Sequence, residues 1–157
     1  MSKAHLVFFQ SKLFAVAGAS ADVSKYGYKV LAWYKNRQLP AIPINPKTPA
    51  ILDIPCIPSV LELTNPESIS NSLSAIHPDL KTPSASEIGI SIVTPPKVTE
   101  SIVHQAANIG IKNFWLQPGS EPENWENLAK ELGVNIIGGG DCVLVMGDEL
   151  LHSISKL

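Results

Sequence analysis

A single doubly wound α/β domain, with a mostly parallel sheet and helices on both faces, is the fold this sequence predicts. Short apolar runs alternate with longer segments of helical periodicity along most of the chain, as a buried parallel sheet with crossover helices requires. The runs end in turns of small, polar or cyclic residues: Gly18-Ala19-Ser20, Asn45-Pro46-Lys47, Thr94-Pro95-Pro96 and Gln117-Pro118-Gly119. The 157 residues are 45% hydrophobic and 17% charged. That suits one core, so residues 1–157 read as one domain.

The elements follow in order. Leu13 to Ala17 is a buried strand ended by Gly18. From Tyr28 the apolar positions Val30, Leu31, Trp33 and Tyr34 predict a helix to Leu39, stopped before Pro40. "AIPIN" is a second strand. The proline-punctuated segment after it is an extended loop, with an edge strand around Ile51 and Leu52 and a brief helix over Val60 to Leu63. Residues 65–86, rich in Ser, Pro and Asn, read as a surface excursion or insertion. "IGISIVT" is a β-branched strand. A helix follows, opened by Pro95-Pro96 and closed before Gly110. "NFWLQ" is a strand, "EPENWENLAKELG" a helix and "VNIIG" a strand. After the loop Gly138-Gly139-Gly140, "CVLVMG" reads as a short strand or buried turn and "DELLHSISK" as a closing helix.

Several function classes are disfavoured. A net charge of −2 with no basic stripe gives no attraction to nucleic acid or to an anionic membrane. No apolar run is long enough to span a membrane, and the N-terminal segment lacks the parts of a secretory signal. Cys56 and Cys142 make neither a disulfide framework nor a zinc quartet, so a cytoplasmic setting is expected. His5, His77, His104 and His152 show no ligand spacing, and no metal site is expected. Asp148, Glu149 and His152 read as an ordinary helix face. There is no Gly-x-Ser-x-Gly elbow, and no catalytic residue is assigned.

The turns carry the functional signal. A small-residue turn between a strand and a helix lets a ligand approach backbone N–H groups at the positive end of the helix dipole, which favours phosphate. Ser20, expected at the helix N-terminus, would add a hydroxyl and Lys25 a charge. Neither a P-loop nor a G-x-G-x-x-G fingerprint is present. Dinucleotide enzymes place an acid at the end of the second strand. Here Lys47 stands nearby instead, which suits a phosphorylated ribose or another anionic adenosine derivative. Cys142 has two readings. It could hold or exchange with a ligand thiol from behind a flexible glycine loop, or it could pack as a small buried residue. Val143-Leu144-Val145, read as β-formers, favour burial. Cys56, between prolines, reads as structural.

The ordered set "VAGAS", "SKYGYKV", "PINPK", "SIVTPPKV" and "WLQPGSE", with the late Cys142, resembles the CoA-binding Rossmann-like domain family. A larger relative of that family is the N-terminal domain of the succinyl-CoA ligase alpha subunit. The resemblance covers residues 11–147, with 65–86 set apart. It implies that Gly18, Ala19 and Ser20 meet the pyrophosphate, with Lys25 and Tyr26 close by. It puts Asn45, Pro46 and Lys47 beside the adenosine and its 3′-phosphate. Thr94, Pro95 and Pro96 would border the adenine or pantetheine, and Gln117, Gly119 and Glu121 would line the crevice. Two departures stand out. Asp141-Cys142 is followed by Val143 where compact members often have proline, and the ligase's phosphohistidine domain is not expected. The implied function is a stand-alone binding or regulatory module for the nucleotide ligand CoA or acyl-CoA. A small NAD(P)-dependent oxidoreductase using the same crevice is the alternative. A second alternative is an interaction subunit with a degenerate pocket, as a homodimer or with a partner subunit.

Overall fold

The computed structural model describes residues 2–156. In chain order the elements are α1 (Lys3–Phe9), β1 (Leu13–Ala17), α2 (Tyr26–Asn36), β2 (Ala41–Ile44), β3 (Ala50–Ile51), β4 (Ile54–Pro55), a 3-10 turn (Val60–Thr64) and α3 (Pro66–Leu73). A second 3-10 turn (Ala85–Glu87), β5 (Ile88–Ile92), α4 (Pro96–Asn108), β6 (Asn113–Leu116), α5 (Trp125–Leu132), β7 (Asn135–Ile137) and α6 (Val143–Ile154) complete the order.

Five strands form one wholly parallel sheet in the order β2-β1-β5-β6-β7. β1, β2, β5 and β6 are buried along their whole length, which is why they read as continuous apolar runs and not as alternation. Packing against one another, α1, α2 and α6 cover one face, while α4 and α5 pack together on the other. The chain therefore leaves β1 towards one face and β5 towards the other. Their adjacent carboxyl ends form the switch point at which doubly wound folds bind ligands. Beyond β2, Ile57 makes a single parallel bridge to Ile44, a remnant of a further strand.

Four differences from the sequence reading have physical causes. First, α1 was not anticipated. Ser2 accepts from the His5 N–H and starts the helix, and Phe8 and Phe9 pack edge-on against Trp115. Second, α2 begins at Tyr26 and ends at Asn36, because Gln38 takes a positive φ of 58° before Pro40. Third, the first half of 65–86 is more than a surface excursion. Asn65 caps α3 with Pro66 in its first turn, and Ile69 and Leu73 are buried. The Ser/Asn richness misled because Ser72 is also buried, donating to the Pro55 carbonyl at 2.7 Å. Fourth, "CVLVMG" is neither strand nor buried turn but the start of α6. The edge strand near Ile51 is half of a hairpin whose corner, Leu52-Asp53, has positive φ at both residues, a geometry suited to two-residue hairpins.

α2 and α6 lie together because Gly147 admits the Trp33 ring. A Cβ at Gly147 would stand 2.3 Å from Trp33 Cζ2. Gly147→Ala should therefore lower stability by about 1–3 kcal/mol through overpacking. Chemical denaturation should show a lower midpoint with an unchanged slope; an unchanged midpoint would show that the two helices separate freely.

Candidate functional site

The turn after β1 is shaped by two glycines. Gly18 has φ +85°, and a Cβ there would fall 2.8 Å from Val93 Cγ2 and 3.1 Å from Thr94 Cγ2. Gly27 lies in the first turn of α2, where a Cβ would come within 2.1 Å of the Gly18 carbonyl oxygen. Gly18 makes the turn tight and Gly27 lets the helix press onto it. These are tasks that a dinucleotide fingerprint also gives to glycines, here with a longer loop between them. Gly27 was not among the site residues anticipated from sequence; a glycine inside an otherwise apolar helical start was its signal.

Ser20 is not at the helix N-terminus. The cap position of α2 is Lys25, which makes no side-chain capping bond. Ser20 Oγ instead accepts from the Asp22 N–H at 3.1 Å. Asp22 accepts from the Ser24 hydroxyl at 2.7 Å and the Ser24 N–H at 3.0 Å, which hold its carboxyl below the usual range. The loop is thus closed by its own polar side chains. The first-turn N–H groups of α2 receive no side-chain cap and remain for a ligand or water.

At the end of β2, Asn45 is bonded at both ends of its carboxamide. Its Nδ2 donates to the Ala19 carbonyl at 2.9 Å, and its Oδ1 accepts from the N–H groups of Lys47 at 2.8 Å and Thr48 at 3.0 Å. It ties the second turn to the first. Lys47 is exposed next to Pro46. At the end of β5, the Thr94 hydroxyl pairs with that of Thr99 at 2.8 Å, and Pro95 and Pro96 open α4.

Between these turns and α4 is a cavity of about 270 Å³. Gly18, Ala19, Asn45, Pro46 and Thr94 line it, as do Ile44, Pro58, Ser59, Val60, Val98, Ile102 and Gln105. Its walls are mainly apolar with a few polar groups, as small-molecule sites are. Val98 and Ile102, at i and i+4 on α4, were readable as one helix face, yet nothing in the sequence marked that face as a pocket wall. Pro58 and Ser59 were read as loop and Val60 as the start of a brief helix, without a ligand role. A depression bordered by Lys35, Gln38, Ile76 and His77 lies beside the start of β2, at the opposite end of the sheet from these turns.

A second group of predicted residues gathers elsewhere. Gln117, at the end of β6, is fully buried. Its Oε1 accepts from the Val143 N–H at 3.0 Å and from the Tyr26 hydroxyl at 3.4 Å. The Tyr26 hydroxyl is also hydrogen-bonded to Cys142 Sγ. Burial, then the neighbouring sulfur, push the Tyr26 hydroxyl well above the ordinary phenol range. Cys142 is half-buried and occupies the cap position of α6 without a capping bond. The residues after it do not draw it into the sheet, because Val143-Leu144-Val145 is helical and Val145 is 85% exposed. Glu121 bridges two loops, accepting from the Gly119 N–H at 2.8 Å and the Gly140 N–H at 2.9 Å. Cys56 is half-buried, and burial raises its thiol pKa. Among the described residues no cluster of His, Cys, Asp and Glu could hold a metal ion, and no helix is long and apolar enough to cross a membrane.

Uncapped N–H groups at the start of α2, beside an apolar cavity at the switch point, are the geometry on which the comparisons bear. The family model described as a CoA binding domain matches residues 12–148. The chain belongs to the CoA-binding domain family. A conserved hypothetical protein from Pyrococcus furiosus is 28% identical, with TM-score 0.67 over 85% of this chain and 97% of its own. Lower-identity structures share the fold. A hypothetical protein from Pyrococcus horikoshii is 23% identical with TM-score 0.71, covering 94% and 89% of the two chains. A protein from Thermus thermophilus is 23% identical with TM-score 0.67, covering 94% and 95%. No curated protein matches. This chain's turns are held by bonds within their own loops, and Asn45 ties the second turn to the first.

Asn45→Ala tests that statement. It leaves the Ala19 carbonyl and two N–H groups without their partner, and should destabilise the protein by about 1–3 kcal/mol. Thermal or chemical denaturation checks it. A loss of only a few tenths would mean that solvent replaces the amide.

Proposed function

We propose that this chain binds CoA or an acyl-CoA as a small binding or regulatory module. The observation that carries the reading is the juxtaposition of the uncapped α2 N-terminus with the apolar cavity at the carboxyl ends of β1, β2 and β5, in a chain that belongs to the CoA-binding domain family. A flat adenine ring suits walls made by Ile44, Val60, Val98 and Ile102. The pyrophosphate suits the open N–H groups at Tyr26 and Gly27, with Lys25 adding charge. Lys47, exposed at the mouth, suits the 3′-phosphate. The β2 end has no carboxylate for a ribose diol, which separates this site from the usual NAD arrangement.

A thermal-shift panel tests the reading. CoA should raise the melting midpoint more than NAD, NADP or ADP. At a concentration about 100-fold above the dissociation constant, a ligand specific to the folded state adds about 2.7 kcal/mol. A shift with NADP and none with CoA would replace the reading with the oxidoreductase alternative.

Lys47→Ala gives a finer test. Binding of CoA should weaken by about 0.5–1 kcal/mol, the worth of an exposed ion pair, while dephospho-CoA binding stays unchanged. Isothermal calorimetry on both ligands checks this. Equal losses for the two ligands would mean that Lys47 meets something other than the 3′-phosphate.

A further inference from the structure

We propose that Cys142 is a covalent attachment point for the terminal thiol of CoA, reached when CoA arrives as its disulfide; this rests on the reading of the crevice as a CoA site.

Two independent features support it. One is the placement of the sulfur. It stands at the cap of α6, a 12-residue helix, with no capping bond, at the positive end of a dipole that favours negative charge. The other is the Gln117 carboxamide. Val143 N–H can only donate, so it fixes Gln117 Oε1 as its acceptor. Gln117 Nε2 is then a fully buried donor with no partner. A buried donor left unmade costs about 1–3 kcal/mol, so such groups call for an explanation. This one belongs to the same carboxamide that touches Tyr26, which in turn touches Cys142. The pantetheine arm carries amide carbonyls, the acceptor that Nε2 lacks.

The reach is right. The apolar cavity lies on the α4 side of the sheet, at the ends of β2, β1 and β5. The open amides of α2 stand at β1, and Gln117 ends β6. β1 and β6 are two strand spacings apart, about 10 Å at about 4.8 Å each. A ligand with adenine in the cavity and pyrophosphate at α2 has its pantetheine arm left to cross that span, onto the α2–α6 side where Cys142 stands.

The chemistry balances with CoA disulfide as the oxidant. The Cys142 thiolate attacks one sulfur of the disulfide. The Sγ–S bond forms as the S–S bond breaks, and one CoA leaves as a thiolate that takes up a proton. The Tyr26 hydroxyl stays protonated at neutral pH; once the thiol has lost its own proton, the single O–H can turn from Gln117 Oε1 to the sulfur. Cys56 sits on the loop after β4, where burial disfavours its thiolate.

The test incubates reduced protein with CoA disulfide, or with glutathione disulfide at the same concentration, and follows intact mass and peptide maps. Melting of the Cys142→Ser variant with reduced CoA is measured alongside. The expected result is one CoA adduct on Cys142, none on Cys56, reversal by dithiothreitol, and a rate roughly ten-fold above that of glutathione disulfide, since binding positions the reacting sulfur. Cys142→Ser should form no adduct and still be stabilised by CoA. Stabilisation by CoA without an adduct at Cys142, or equal rates with the two disulfides, overturns the thiol inference and leaves the CoA reading standing. Neither stabilisation nor adduct overturns both.

Discussion

The structure turns on one close approach, the backbone of Gly27 against the carbonyl of Gly18. No side chain fits between them, since even a Cβ on Gly27 would lie 2.1 Å from that oxygen. Gly18 is in turn pressed against Val93 and Thr94 of the neighbouring strand end. These contacts hold the start of α2 at the place where β1 and β5 part to opposite faces. The open N–H groups of the helix are therefore fixed at the switch point. Tyr26, one residue before Gly27, is fixed with them and reaches across to Gln117 and Cys142.

With the helix placed, the polar residues around it divide into two sets. Asn45, Asp22 and Glu121 have their side-chain groups taken up by other turns or by their own loops, and Thr94 has its hydroxyl taken up by Thr99 of α4. They give the crevice its shape and present little to a ligand. What remains open is the first turn of α2 and the exposed charges of Lys25 and Lys47, and the buried amide nitrogen of Gln117 is left unpaired. What the crevice offers is backbone amides at one end and an apolar surface at the other.

The sheet was legible because buried parallel strands are short, apolar and ended by turn residues, and the five main strands have that form. Helix ends were less so. The start of α2 depends on a loop whose Ser20, Asp22 and Ser24 cap one another, and such bonds leave no periodic trace. α1 and α3 were obscured for opposite reasons: α1 is short and precedes the first strand signal, while α3 carries buried Ser72 in a stretch that looks solvent-facing. At the site, the predicted turns do converge. Five of the anticipated residues line the cavity, yet Asn45 acts as a brace, and Tyr26, Gln117 and Cys142 meet at a separate point. That meeting spans 116 residues between Tyr26 and Cys142. Nothing local in sequence encodes it. It follows from α2 and α6 sharing a face, which Gly147 and Trp33 make possible.

That shared face explains why the thiol is a fixed feature and not a loop group. α2 and α6 run side by side in the same sense. Tyr26 meets Cys142 at one end, Trp33 covers Gly147 further along, and the Arg37 guanidinium holds Asp148 while its own Nη1 donates to the Trp33 carbonyl at 2.9 Å. The Arg37–Asp148 pair is exposed enough to contribute little by itself. Its effect is to keep Arg37 stacked over the Trp33 ring, 4.5 Å from its centroid. The two helices are thus clamped along their contact, and the sulfur at the head of α6 keeps a set position relative to the amides at the head of α2. Moving Cys142 away from the crevice would require breaking the Trp33–Gly147 contact, so a ligand bound at α2 would find the sulfur where the fold puts it.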